Sequence, residues 1–172
     1  QRGIAVFTAM KDQPFIVDTV RLFLRRHQAE YQGGFNLVFD AVRDEQGNLT
    51  GFDQEGGMVE SIVMLQADSG RLHELEQCTR VLRGQLEAAR ATVADFRGMV
   101  RNIERTVEKL EVLADRNPGS APASRETADF PKWLLRENFV FMGLETGDTR
   151  LGLQSYDGPY AHASEGDWPE AH

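Results

Sequence analysis

The sequence contains very little cysteine and no long apolar run. Cys78 is the single cysteine among 172 residues, which excludes an intramolecular disulfide and a cysteine-based metal cluster. No stretch approaches the roughly 18–20 consecutive apolar residues that a membrane-spanning helix needs. Lysine and arginine together number 19 against 27 aspartates and glutamates, a formal charge of −8. This acidic balance argues against a nucleic-acid partner, because such a partner is bound through clustered basic side chains.

The chain also lacks the motifs of common catalytic and cofactor sites. The pairs Gly33–Gly34 and Gly56–Gly57 are isolated and form no phosphate-binding loop between a strand and a helix. Ser61 lacks the flanking glycines of a nucleophile elbow. The histidines have no metal-ligand spacing among themselves or with Cys78: His27, His73, His162 and His172. We therefore predict no catalytic residue, no metal and no cofactor in this chain.

The overall composition is that of a folded domain. Hydrophobic residues make up 41% of the chain and charged residues 27%, which is too apolar for a disordered segment. The length fits one domain, or one small domain with an appendage. The sequence enters an apolar run directly after Gln1-Arg2-Gly3, without an initiator methionine. We therefore expect it to be a piece of a longer protein.

The first third of the sequence predicts a strand followed by a helix. Ile4–Met10 is a short apolar run with β-branched and aromatic members, which is typical of a buried strand. From Phe15 to about Glu30 the apolar residues recur at helical spacing. Gly33–Gly34 is expected to end this unit.

Two further strands are predicted next. Phe35–Arg43 and Met58–Gln66 both read as strands, and the second is apolar on both faces, which indicates a strand covered on both sides. Residues 44–48 have the composition of a hairpin turn. The segment Leu49–Gly57 is polar and glycine-rich, so we expect a loop or a frayed edge there.

A heptad-like apolar stripe then runs from Leu82 to Leu110. Helical character extends from about Leu72 to Ala114, which is too long for one helix in a domain of this size. We expect a break near Arg90–Ala94, where Thr92 and Asp95 have the spacing of a helix cap. The stripe either covers the sheet of its own domain or forms a helical hairpin or a subunit contact.

The last third begins with the clearest linker. Residues 117–125 are rich in proline, glycine and serine and separate a core over residues 1–116 from residues 126–157. The second segment predicts a helix over Glu126–Arg136, with Pro131 in its first turn. A strand over Phe139–Leu144, paired with Leu151–Tyr156, would complete or flank the sheet. Residues 158–172 are expected to be a flexible tail.

This order of elements predicts an α+β fold of the ferredoxin-like class. The pattern βαββαβ gives an antiparallel sheet with helices on one face, here with an extended helical hairpin as an insertion. The other face of such a sheet is usually buried by a partner sheet or a ligand. The apolar residues on both faces of Met58–Gln66 are consistent with this arrangement.

The turn between the first strand and the first helix is the candidate ligand site. Lys11, Asp12, Gln13, Pro14 and Phe15 place a tight turn immediately before a helix. The exposed N–H groups of a helix N-terminus suit an anionic ligand such as a carboxylate. The alternative is a plain connection between a strand and a helix.

Five short segments carry a resemblance to a known family. MKDQPFIVDTV is similar to the opening rPFLVDS, and VRDEQGNL is similar to a hairpin R-D-x-x-G-x-L. VESIVMLQ resembles an E-S-hydrophobic strand, and VADFRGM resembles a helix V-x-D-W-x-x-M. ADFPKWLLRENFVFMG is similar to the stretch F-L-x-W-L-x-x-x-N-F-x-F-L-G. In this order these motifs are those of the N-terminal part of the large bacterial NAD-dependent glutamate dehydrogenases, and they span residues 10 to 143.

The resemblance implies an ACT-like module of ferredoxin-like fold. Such modules commonly bind amino acids at the turn after the first strand, often across a subunit interface. It also implies that NAD and the catalytic lysine belong to a domain downstream of this chain in a cytoplasmic enzyme. The chain would then have no cofactor of its own, and its partners would be other domains of the parent chain, further copies in a homo-oligomer and an amino-acid effector.

We therefore expect a regulatory or assembly domain with an amino-acid site. In this hypothesis the ligand carboxylate lies on the N–H groups near Gln13–Phe15, and Asp12 or Asp18 receives the ammonium group. Two alternatives remain open. The chain is either a purely structural oligomerisation module without a small ligand, or a free-standing enzyme with a polar pocket that the sequence does not reveal.

Overall fold

The computed structural model describes residues 3–52, 56–72, 74–119 and 121–157, and describes the backbone alone for residues 137 and 138. By its internal contacts the chain divides into two compact units, Gln1–Ala89 and Arg90–His172. The division falls within a long helix, whereas the sequence predicts a boundary at residues 117–125. That placement of the domains stays a prediction, and the predicted tail at 158–172 lies outside the described residues.

The first unit is an α+β layer. Strand β1 (Gly3–Lys11) is followed by helix α1 (Ile16–Arg26) and strand β2 (Tyr31–Arg43). A short strand β3 (Leu49–Phe52) and strand β4 (Met58–Asp68) complete the sheet, and helix α2 (Leu75–Arg116) begins in this unit. All strand pairs are antiparallel, and the order across the sheet is β1-β4-β2-β3. The α+β class and the antiparallel sheet predicted from the sequence are therefore confirmed.

One face of this sheet carries the core. Residues of β4 that alternate along the strand, Val63 and Leu65 among them, point to the same side as the paired residues Thr8 and Val6 of β1. Side chains from α1 and from the start of α2 cover that side, which confirms that this part of the apolar stripe covers its own sheet. The buried cluster consists of Ile16, Val20, Phe23, Leu24, Ala29, Val63, Leu65, Ala67, Leu72, Leu82 and Leu86.

Two predicted boundaries in this unit are wrong, and the second error involves the glycine pair. Helix α1 ends at Arg26 instead of near Glu30, because Gln28 takes a left-handed backbone conformation with φ 53°. Strand β2 begins at Tyr31, so Gly33 and Gly34 lie inside it instead of ending the helix unit. Position 34 requires glycine because β2 passes close to β4 at this point. A Cβ atom on residue 34 would lie 2.9 Å from the Cα atom of Leu65.

The segment expected to be a loop or frayed edge contains a strand. Residues Leu49–Phe52 form β3, paired with Ala41–Arg43, because the preceding turn is tightly built. Gly47 takes φ 83°, and the carboxylate of Asp44 accepts hydrogen bonds from the backbone N–H groups of Gln46 and Asn48. The side-chain amide of Asn48 also donates to Asp44, and these bonds hold the pKa of the Asp44 carboxyl below its usual value.

Helix α2 has no break, so the predicted helical hairpin is wrong. It continues through Thr92 and Asp95, the two residues whose spacing suggested a cap. Both make tertiary hydrogen bonds within the second unit instead. Thr92 Oγ1 donates to the carbonyl of Met142 over 3.3 Å, and Asp95 accepts from the N–H of Gly152 over 2.8 Å. The cap-like pattern therefore reflects contacts distant in sequence.

The predicted linker is partly helical. Helix α3 covers Ala121–Trp133, five residues earlier than the predicted start, and Pro122 at its beginning suits a first helical turn. Pro131 lies near its end, not in its first turn, and a single π-helical turn follows at Leu134–Asn138. Proline removes a backbone donor from the helix, which explains the change in hydrogen bonding at this point.

The second unit also contains a small hairpin. Strand β5 (Gly143–Thr146) pairs with strand β6 (Thr149–Gly152) in a two-stranded sheet. The predicted strand at Phe139–Leu144 is thus shifted, and within the described residues it does not supply a fourth long strand to a ferredoxin-like sheet. Among the described residues of this unit, the buried apolar ones are Met99, Ile103, Val107, Ala114 and Ala128.

Candidate functional site

The predicted ligand turn joins β1 to α1. Lys11 is the last residue of β1 and is paired with Glu60, and the N–H of Asp12 continues the ladder by donating to the carbonyl of Val59 over 2.9 Å. After Pro14, Phe15 takes a left-handed backbone conformation with φ 73° and ψ 7°. A phenylalanine in this region is unusual and strained. The turn is therefore hydrogen-bonded to β4 at Asp12, and its backbone is strained at Phe15.

Asp12 is engaged by a buried partner that the sequence did not identify. The hydroxyl of Ser61, a fully buried residue of β4, donates to Asp12 Oδ1 over 2.5 Å. A hydrogen bond to a carboxylate is short and strong, so it anchors the turn to the middle of the sheet. One signal was present in the sequence: Ser61 is the polar member of an otherwise apolar strand face that includes Val63 and Leu65.

Gln13 carries a buried donor without a partner. Among the described residues, its Nε2 atom and the Oγ1 atom of Thr8 are buried side-chain atoms that have no hydrogen-bond partner. A buried polar group left unpaired costs about 1–3 kcal/mol. An orphaned amide donor in this turn is chemically suited to donate a hydrogen bond to a ligand oxygen.

The N-terminus of α1 adds further donors. Phe15 occupies the cap position, and no side chain caps the helix there. The first backbone hydrogen bond of the helix runs from the N–H of Thr19 to the carbonyl of Phe15, so the preceding N–H groups lack intrahelical partners. With the helix dipole, these groups favour a negative charge at this end.

Asp18 lies apart from this group of donors. It lines an open groove of about 590 Å³ on the exposed side of α1, together with Arg21, Arg25, Glu30 and Tyr31. The Arg21 guanidinium lies over the Tyr31 ring at 5.0 Å from its centroid. None of Lys11, Asp12, Gln13, Pro14 and Phe15 lines this groove. Of the two predicted acceptors for an ammonium group, Asp12 is therefore the one that belongs to the turn.

An ion pair between the buried Glu60 and the exposed Arg43 lies next to the turn on the sheet. Glu60, only 7% exposed, accepts hydrogen bonds of 2.6 and 2.7 Å from Nε and a terminal nitrogen of Arg43. These hydrogen bonds hold the pKa of the Glu60 carboxyl below its usual value of 4.5 and raise the pKa of Arg43. The pair fixes the end of β2 to β4, so we assign it a structural role.

This ion pair predicts a pH dependence of stability. Because the folded-state pKa of Glu60 is lowered, its contribution is present above the unfolded-state pKa and is lost as the pH falls through the folded-state value. We expect wild type to be more stable than Glu60→Gln at neutral pH and to lose that advantage in acid. Thermal unfolding across the carboxyl range measures the difference. Glu45→Gln, in the exposed turn, is the control, and the same pH trend in both variants would contradict the assignment.

A metal-type cluster and a membrane-spanning helix are both absent from the described residues. No group of three or more histidine, cysteine, aspartate or glutamate side chains is arranged to hold a metal ion. None of the helices there has both the length and the apolar character that crossing a membrane requires.

Comparison with known proteins identifies the first unit. Residues 3–82 match the family described as the glutamate dehydrogenase ACT1 domain. The chain is 31% identical over 147 residues to the NAD-specific glutamate dehydrogenase of Halomonas elongata, and 29% identical over 150 residues to that of Pseudomonas aeruginosa. These alignments cover 81% and 82% of this chain but only 9% of each relative. No solved structure matches significantly.

The fold and these matches agree on the class of protein. The first unit is an α+β domain with an antiparallel sheet and a long helix, as expected of an ACT-like module. The match over residues 3–82 is to the ACT1 domain family of glutamate dehydrogenases. The resemblance read from the five sequence segments is thereby confirmed.

Proposed function

We propose that this chain is a non-catalytic regulatory and assembly domain of an NAD-dependent glutamate dehydrogenase. The parent enzyme would convert L-glutamate and NAD to 2-oxoglutarate, ammonium and NADH in the cytoplasm. The chain spans 9% of the length of its relatives, and the NAD site and catalytic residues belong to the remainder in this proposal. Other domains of the parent chain and further copies of it are the proposed partners.

The orphaned Gln13 amide is the observation that supports an effector site. An amino-acid carboxylate would accept hydrogen bonds from this amide and from the free N–H groups at the start of α1. Asp12, held by Ser61, would receive the ammonium group. Binding regulates only if the ligand has different affinities for two states of the enzyme, so the anchored turn must differ between those states.

Thermal unfolding with candidate ligands tests this proposal. We expect one amino acid to raise the midpoint of unfolding, and NAD to leave it unchanged. A ligand at 100 times its Kd adds about 2.7 kcal/mol of stability. For a chain of this length that corresponds to about 5–11 °C. 2-Oxoglutarate and citrate distinguish an amino-acid site from a general carboxylate site.

A matched pair of variants locates the site. Gln13→Glu replaces the amide donor by a carboxylate of the same shape, so repulsion should remove the thermal shift caused by the amino acid. Gln46→Glu makes the same change in the exposed β2–β3 turn and should leave the shift intact. Asp12→Asn should weaken binding of the amino acid more than Asp18→Asn does, because Asp18 lines the separate groove. If no amino acid shifts the midpoint, the chain is a structural assembly module instead.

A further inference from the structure

The face of the four-stranded sheet that points away from the helices carries a continuous apolar patch. Side chains alternate along a strand, so this face is opposite the one that buries Val63 and Leu65. The patch, here called the outer patch, consists of two neighbouring rows of paired residues across β1, β4 and β2: Phe7, Met64 and Phe35, then Ala9, Ile62 and Leu37.

The outer patch does not have the composition of a sheet face that meets water. A solvated face of an antiparallel sheet carries polar side chains, whereas both rows of this patch are apolar throughout. Phe7, Phe35 and Leu37 are nevertheless 62%, 51% and 50% exposed, so no described part of the chain covers them. Large contiguous apolar patches on soluble proteins mark interaction sites. The outer patch is therefore a surface built to be covered.

The length of the relatives favours a partner from the same polypeptide. The alignments cover only 9% of each relative, so more than nine tenths of each relative lies outside the matched region. A segment of the same polypeptide is held near the patch at an effective concentration of up to about millimolar, which a separate molecule rarely reaches.

The chemistry of the patch and its rim defines what this segment must present. An unpaired charge or polar group buried against the two apolar rows would be destabilising, so the covering surface must itself be apolar. The next row of the sheet begins the charged rim, with Lys11 paired in register with Glu60. Glu60 already binds Arg43, so the exposed Lys11 favours an acidic side chain on the partner at this point.

We propose that the outer patch is buried in the parent enzyme by an apolar surface from another part of the same polypeptide, with a carboxylate beside Lys11. The sheet then has a layer on each face, as is usual when both faces are apolar. The covering layer contacts Ile62, the neighbour in β4 of Ser61, which holds Asp12 from the opposite face. The inference rests on the proposed regulatory and assembly role and names the surface through which that role is exerted.

Cysteine labelling compares the parent enzyme with the isolated chain. Leu37→Cys lies in the outer patch, and Val38→Cys is the matched control, because Val38 is the next residue of β2, is 48% exposed and faces the other side of the sheet. In the isolated chain a maleimide should label both cysteines. In the parent enzyme labelling of Leu37→Cys should be lost and labelling of Val38→Cys retained, as measured by mass spectrometry of the peptide that contains them.

Three results would overturn this inference. Equal labelling of Leu37→Cys in the parent enzyme and the isolated chain would mean that the patch stays open. Protection in an isolated chain of doubled mass would mean that a second copy covers it. Equal protection of Val38→Cys in the parent enzyme would mean that the contact is not specific to this face.

A measurement on wild type covers the case in which a cysteine variant does not fold. Hydroxyl-radical oxidation should modify Phe7 and Phe35 in the isolated chain and spare them in the parent enzyme, and equal oxidation in both would overturn the inference. The proposed function fails separately. A parent enzyme without glutamate dehydrogenase activity contradicts that proposal, whereas an active parent enzyme with a freely labelled patch contradicts only the docking surface.

Discussion

The Leu24→Ala variant should unfold with a free energy about 2–5 kcal/mol below that of wild type. Leu24 is 1% exposed and is among the largest fully buried side chains of the chain. It lies on the side of α1 that faces the sheet, in the same buried cluster as Val20, Val63 and Leu65. Removing its methyl groups leaves a cavity that the surrounding strands fill only partly. Urea unfolding followed by circular dichroism measures the loss.

Leu22→Ala is the control for this prediction. It makes the same chemical change two residues away on the same helix, but Leu22 is 41% exposed. Leucine and alanine have similar helix propensities, and surface changes usually stay within about 0.5 kcal/mol. If both variants lost the same free energy of unfolding, the side of α1 that carries Leu24 would not be the side packed against the sheet.

The faces of α1 and β4 are the part of the fold that the sequence predicts well. Helical spacing in the sequence predicts that Val20, Phe23 and Leu24 share one side of α1, and a period of two predicts that Val63 and Leu65 share one face of β4. All five are buried together. These predictions succeed because the geometry of a helix or a strand determines which nearby residues share a face. The spacing of apolar residues in the sequence therefore indicates directly which face is buried.

The continuous α2 helix shows where local patterns fail. Thr92 and Asp95 have the spacing of a helix cap, and a cap stabilises a helix start by bonding nearby N–H groups. In the structure their side chains bind Met142 and Gly152, which lie 50 and 57 residues further along. A short sequence pattern cannot distinguish a local partner from a distant one of the same chemistry.

The sequence predicts only those parts of the candidate site that depend on residues adjacent in the chain. The turn Lys11–Phe15 and its free N–H groups follow from a strand, a proline and a helix that are adjacent in the chain. The partner of Asp12 does not, because Ser61 is 49 residues away and reaches it only through the register that pairs Met10 with Ser61. Similarly, an unpartnered Gln13 amide is defined by what surrounds it in space.

The two neighbouring glycines of β2 should respond to alanine with opposite signs. Gly34→Ala should lower the free energy of unfolding by about 1–3 kcal/mol or more, because added volume in a packed site forces the backbone to move. A Cβ atom there would overlap the carbonyl oxygen of Met64 and lie 2.8 Å from Leu65 Cδ2. The carbonyl oxygen is backbone of the central strand, so it cannot turn aside as a flexible side chain would.

Gly33→Ala should instead raise the free energy of unfolding by about 0.4–1 kcal/mol. Among the described residues, no atom beyond Gly33 and its two chain neighbours lies within 4 Å of a Cβ atom built on Gly33, so alanine adds no clash. Alanine also reduces the conformational freedom of the unfolded chain, which favours the folded state. Urea unfolding of both variants tests the pair. A destabilised Gly33→Ala would contradict the open space that the structure gives to a side chain at this position.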